Sequence, residues 1–219
     1  MEFHITGDTM HGMVADKGFQ EGLRRMAKYT LEKKKEACIQ VSAYPEGFDV
    51  TVLYGRKDDM KNNRPAQVGR PKGAIDDGMY VDIFNMHTHT DAGFPIFSEH
   101  DLSRQRDPEV YGVSVVGKDK SLYGLLWAPV RNFDSKELDH ELESYTIFNK
   151  DGYPVGGDKG KILAAMSDYG PAAFVDFKYR NGIYVPDKAG MKALEGFAPF
   201  LNDEFREQLK RHGSDADVE

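Results

Sequence analysis

Residues 79–101 read MYVDIFNMHTHTDAGFPIFSEHD, and this stretch decides how the rest of the chain is organised. Met79–Met86 is a β-branched and apolar run of strand length, and it ends directly in His87-Thr88-His89. On a strand, residues i and i+2 point to the same face, so two imidazoles at this spacing project together without a loop folding around them. A Gly/Pro-containing loop follows, and Ser98-Glu99-His100-Asp101 then has the pattern of a helix start. Ser98 serves as cap and Asp101 as the acidic residue at the third helical position. Such a turn would aim Asp101 at a fixed point. Two histidines and one carboxylate leave one tetrahedral position open, the pattern of a catalytic zinc site rather than a structural one. The sequence therefore predicts one zinc ion held by His87, His89 and Asp101.

Working outward, Phe19, Leu23, Met26, Ala27 and Leu31 fall at helical spacing and predict an amphipathic helix from Phe19 to Lys35. Residues 1–16 read as irregular or as a short leading strand. Ala37–Ala43 and Phe48–Tyr54 are short strands joined through Pro45-Glu46-Gly47. Residues 55–78 form a long polar loop with six basic residues, either a substrate clamp beside the site or plain solvated surface. Tyr111–Val116 and Ser121–Trp127 predict two strands, and Ser135–Tyr145 a helix. Gly and Pro cluster at 149–160, which places a boundary there. Beyond it the pattern gives a short helix (Lys161–Tyr169), a hairpin turned at Asn181-Gly182, two helical stretches and a polar tail from His212. The expected architecture is mixed α/β: a β-sheet flanked by helices over 1–148, with a small C-terminal α+β extension over 149–219.

Glu36 sits where the first helix meets the first strand, and a carboxylate there could take a proton from a water at the metal. The order helix, Glu36, strands, His87-Thr88-His89, spacer, Ser98-x-x-Asp101 resembles the JAMM (MPN+/JAB) zinc metallopeptidases. The resemblance covers roughly residues 15–130. It implies a cytidine-deaminase-like JAMM core and the ligand set His87, His89 and Asp101. It also implies Glu36 as general acid/base and Ser98 as a donor to the oxyanion. The implied activity is hydrolysis of a peptide or isopeptide bond, with a protein or peptide as partner, including conjugates of a ubiquitin-like modifier. The spacer Thr90–Phe97 is one residue longer than is usual in that family, and Thr90 stands where a proline commonly follows the second histidine. Two alternatives use the same region. His87, His89 and Asp91 resemble part of the metallo-β-lactamase signature, although Ala92 stands where its last histidine would be. A catalytically inactive MPN-type scaffold would keep the fold without the chemistry.

Composition bounds the remaining choices. Hydrophobic residues make up 40% of the 219 residues, enough for a core. The 29 basic and 36 acidic residues leave a formal charge of -7, which argues against a general affinity for nucleic acid or anionic membranes. No apolar run approaches the ~20 residues of a membrane span, and the N-terminal residues lack the pattern of a signal peptide. The one cysteine, Cys38, excludes an internal disulfide, and a cytoplasmic setting is expected.

Overall fold

The computed structural model describes residues 4–55, 81–90, 92–103, 109–130 and 132–202. The basic residues of the 55–78 loop, Asp91 and the tail from His212 lie outside the described residues. The elements run α1 (Gly7–Ala15), α2 (Lys17–Lys33), β1 (Ala37–Tyr44), β2 (Gly47–Tyr54), β3 (Val81–Thr88), α3 (Glu99–Leu102), β4 (Val110–Val116) and β5 (Leu122–Trp127). They continue with α4 (Ser135–Ser144), β6 (Thr146–Phe148), β7 (Pro154–Gly157), α5 (Lys159–Ser167), β8 (Ala172–Arg180), β9 (Ile183–Pro186) and α6 (Lys188–Phe197), closed by a 3-10 turn over Ala198–Leu201. The chain is mixed α/β, with a seven-stranded sheet flanked by helices. No helix among the described residues is long and apolar enough to cross a membrane.

The sheet order is β2-β1-β3-β4-β5-β8-β9. Every neighbouring pair is antiparallel except β3 and β4, which run parallel and need a crossover; that crossover carries α3. Alternation along the strands sorts the apolar side chains into two cores. Phe84 and Met86 of β3, Leu122 and Leu126 of β5, and Val175 and Phe177 of β8 join Phe19, Leu23 and Met26 of α2 and Leu194 of α6. Val113 of β4 and Leu125 and Trp127 of β5 join Leu138 and Leu142 of α4, Ile162 and Met166 of α5, and Phe94, Ile96 and Phe97 of the loop after β3.

The expectation for residues 1–16 is overturned, because Gly7–Ala15 is helical. Thr6 caps α1, its hydroxyl accepting from the Thr9 backbone N–H while the Thr9 side chain accepts from the Thr6 N–H. Met10 and Met13 are fully buried. Gly7 and Gly12 weaken the helical pattern, and tertiary burial supplies what propensity lacks. Residues on both sides of the expected 148/149 boundary share the seven-stranded sheet and both cores. β6 pairs with β7 across that boundary, β8 adds to β5, and β9 adds to β8. The chain also closes on itself: Asn202 Oδ1 accepts from the Ile5 N–H at 2.8 Å, and Asn202 Nδ2 donates to the Ile5 carbonyl.

Candidate metal centre

The three candidate ligands are brought together by separate local devices. His87 and His89 leave the C-terminal end of β3, where β4 holds their backbone: the His89 N–H donates to the Ser114 carbonyl at 2.8 Å, and Ser114 Oγ donates to the His87 carbonyl at 3.1 Å. His87 alternates with Met86, which lies in the first core, so its imidazole faces the layer of α3, α4 and α5. The spacer is anchored rather than slack. Phe94, Ile96 and Phe97 are buried in the second core, and the Gly93 and Phe94 N–H groups both donate to the Pro154 carbonyl of β7. This anchoring returns the chain to the strand end with one residue more than the related motifs use.

α3 is a single turn, so its geometry rests on its cap. Ser98 Oγ accepts from the Asp101 N–H at 3.3 Å, and Asp101 Oδ2 accepts from the Ser98 N–H at 2.9 Å and from Ser98 Oγ at 2.7 Å. The capping box expected from the sequence is therefore present, and its acidic member is the candidate ligand. The serine hydroxyl has one proton, and here it goes to Asp101. The oxyanion role implied for Ser98 would require that hydroxyl to turn away from the carboxylate. His100 of α3, expected on the surface, is half-buried.

The donor atoms converge closely. His87 Nε2 lies 3.0 Å from His89 Nε2, His87 Nε2 lies 3.3 Å from Asp101 Oδ1, and His89 Nε2 lies 3.5 Å from Asp101 Oδ2. An ion about 2.0–2.1 Å from each donor at tetrahedral angles sets those donors roughly 3.3 Å apart. The two imidazole nitrogens lie near that distance from each other and from the carboxylate, His87 against Oδ1 and His89 against Oδ2, so the three side chains could hold a zinc ion. The chemistry of the set agrees: two imidazole nitrogens and a carboxylate meet with no cysteine and no lysine among them. Among the described residues, this is the group of His, Cys, Asp and Glu side chains able to hold a metal ion. The three side chains keep 15–16% of their surface in contact with solvent, enough for one open face. Burial would raise the Asp101 carboxyl, but the positive charge of His87 and hydrogen bonds from both imidazoles hold it well below its ordinary value.

Glu36 stands beside this cluster. β1 and β3 pair with Cys38 opposite His87 as their last rung, and Glu36, two residues earlier in the chain, is close enough to interact with the charges of His89 and Asp101. α2 ends at Lys34 in the left-handed conformation (φ 53°), whose N–H donates to the Thr30 carbonyl, and the chain turns there into Glu36 and β1. The Glu36 carboxyl is pushed up from 4.5 to about 7, chiefly by burial, with the Asp101 carboxylate raising it further and His89 pulling it down. The same burial lifts the Cys38 thiol to about 12 and leaves it inert. No protein-family model, curated protein or solved structure matches the chain.

Proposed function

We propose that the chain is a zinc-dependent hydrolase of amide bonds, with His87, His89 and Asp101 holding one ion and Glu36 moving the proton. The observation that carries this reading is the convergence of two imidazole nitrogens 3.0 Å apart, each within 3.5 Å of an oxygen of the Asp101 carboxylate, beside the buried carboxyl of Glu36. Zinc bound there supplies the charge that acidifies a water and polarises a carbonyl. Glu36, a buried carboxyl beside the cluster, can accept a proton from the attacking water and return it to the leaving nitrogen. Its burial supplies the raised pKa that both roles need. Asp101 is kept ionised by the two imidazoles and oriented by Ser98, which holds one of its oxygens through two hydrogen bonds. The arrangement of Glu36, His87-Thr88-His89, Ser98 and Asp101 also supports the narrower reading of a divergent JAMM-type metallopeptidase. On that reading the bond is a peptide or isopeptide bond, including the link between a ubiquitin-like modifier and a lysine.

The test has two parts. Untagged protein should carry one equivalent of zinc by elemental analysis, and His87→Ala should carry none. The zinc-loaded full chain should cleave members of a quenched-fluorescence peptide and isopeptide panel, while Glu36→Gln binds zinc and cleaves nothing. Stoichiometric zinc in His87→Ala, or undiminished cleavage by Glu36→Gln, overturns the reading.

A further inference from the structure

Three elements part company where the candidate site lies, and one side chain bridges the gap. The ladder between β1 and β3 ends at Cys38 opposite His87. Beyond that rung the two strands take different partners: the Glu36 carbonyl accepts from the Gly55 N–H at 3.0 Å on the β2 side, while the His89 N–H donates to Ser114 on the β4 side. The fork between them is spanned by Thr88, which is fully buried. Its Oγ1 accepts from the Ala37 N–H at 3.0 Å, donates to the Ala37 carbonyl at 3.3 Å, and lies 2.6 Å from Thr30 Oγ1. A hydroxyl has one proton and two lone pairs. With its proton on the Ala37 carbonyl, Thr88 accepts from Ala37 and from Thr30, and its capacity is completely used. Thr30, itself buried, belongs to the last turn of α2, and its carbonyl also accepts the cap N–H of Lys34. One oxygen therefore ties the end of α2, the residue after Glu36 and the residue between the two histidines.

We propose that Thr88 is the positioning residue for Glu36: its hydroxyl stands in for the missing backbone rung and fixes how far Glu36 sits from the His87–His89–Asp101 cluster. This rests on the proposed role of Glu36. Alternation sends the ligands at 87 and 89 to one face and Thr88 to the other, so the same tripeptide that holds the ion sets the base from behind. Valine matches threonine in shape but carries no hydroxyl. Thr88→Val would leave the Ala37 N–H and carbonyl and the Thr30 hydroxyl without their buried partner, and the first residues of β1 would be free to drift. Serine keeps the oxygen.

The test uses the full chain and reads neither substrate nor cleavage, so it stands or falls separately from the hydrolase reading. Three measurements are made on wild type, Thr88→Val and Thr88→Ser: zinc affinity by chelator competition, the titration midpoint of the Glu36 side-chain carboxyl by carbon-13 NMR in zinc-free protein, and exchange of the Ala37 amide. Thr88→Val should bind zinc within about threefold of wild type, because no ligand is touched. Its Glu36 midpoint should fall by roughly one unit as the carboxyl reaches water, and its Ala37 amide should lose protection. Thr88→Ser should restore both. If Thr88→Val proves too unstable, Thr30→Val removes one arm of the node and should move the same two readouts by less. An unchanged Glu36 midpoint in a folded variant lacking the Thr88 hydroxyl, or a tenfold loss of zinc affinity with Glu36 unmoved, overturns the proposal.

Discussion

Replacing Glu36 by glutamine should stabilise the zinc-free protein, by an amount that grows as pH rises from 4.5 to about 7. Glu36 titrates at about 7 in the folded chain against an ordinary value of 4.5. Below 4.5 the carboxyl is protonated in both the folded and the unfolded state, and burial costs nothing. Between 4.5 and 7 the folded chain holds a proton that the unfolded chain releases, so stability falls as pH rises. Above 7 the whole cost is present. At about 1.36 kcal/mol per pKa unit, the shift corresponds to roughly 3 kcal/mol. Solvent screening of this half-buried group trims the expected effect to about 2 kcal/mol. For a chain of this length, that is a rise of roughly 4–8 °C in Tm. Glutamine keeps the shape of the neutral carboxyl and cannot ionise. Thermal melts of chelator-treated wild type and Glu36→Gln should therefore coincide near pH 4 and separate steadily up to pH 8. Zinc should narrow the gap, since its charge offsets the cost of burying the carboxylate. A Tm difference that is flat with pH, or a less stable variant at pH 8, would refute the assignment of Glu36 to a desolvated site beside Asp101. The expected result would mark Glu36 as a residue kept against stability, as functional groups often are.

Two further outcomes follow from the site and the topology. Ser98→Ala removes the hydroxyl that holds Asp101 Oδ2, and zinc affinity should weaken by about 10–100-fold, with Ser98→Thr restoring it; a loss of turnover at unchanged affinity would instead place Ser98 at the oxyanion. A fragment ending at residue 148 loses β8, the sheet partner of β5, and the α6 side chains of the first core. It should show no cooperative unfolding transition by circular dichroism, and a sharp two-state melt would contradict the shared core.

Much of this architecture is local and therefore readable. The helical spacing of Phe19, Leu23 and Met26 marks α2, and the alternation around Pro45-Glu46-Gly47 marks β1 and β2. The i, i+2 histidines at a strand end declare a common direction. What escapes the sequence is non-local. Gly7 and Gly12 hide α1, whose stability comes from burying Met10 and Met13. β6 is too short and β7 too short and glycine-rich to register as strands, yet the Pro154 carbonyl braces the loop between β3 and α3. Nothing in residues 172–186 says that they extend a sheet begun at residue 37, because strand pairing is settled by partners far away in sequence. Asp101 was legible as a capping residue, and its distance from the histidines depended on where Phe94, Ile96 and Phe97 bury. Glu36 came within reach through its resemblance to a motif, and the register of Cys38 with His87 supplies the physical reason. The role of Thr88 is not legible from its position between the two histidines, because its hydrogen bonds lead to a helix 58 residues earlier.

The clasp between Ile5 and Asn202 has a consequence for vectorial synthesis. His87, His89 and Asp101 leave the ribosome roughly a hundred residues ahead of Leu194, Phe197 and Leu201. The sheet that presents them is not finished until β8 and β9 have added to its far edge, and the first core lacks Leu194, Phe197 and Leu201 until the last turns emerge. A nascent chain would therefore carry three loosely tethered ligands for many seconds at ordinary elongation rates. Metal captured in that interval would meet an unformed site and exchange freely. On the proposed reading, lasting occupancy would wait until Leu194, Phe197 and Leu201 had packed against the sheet.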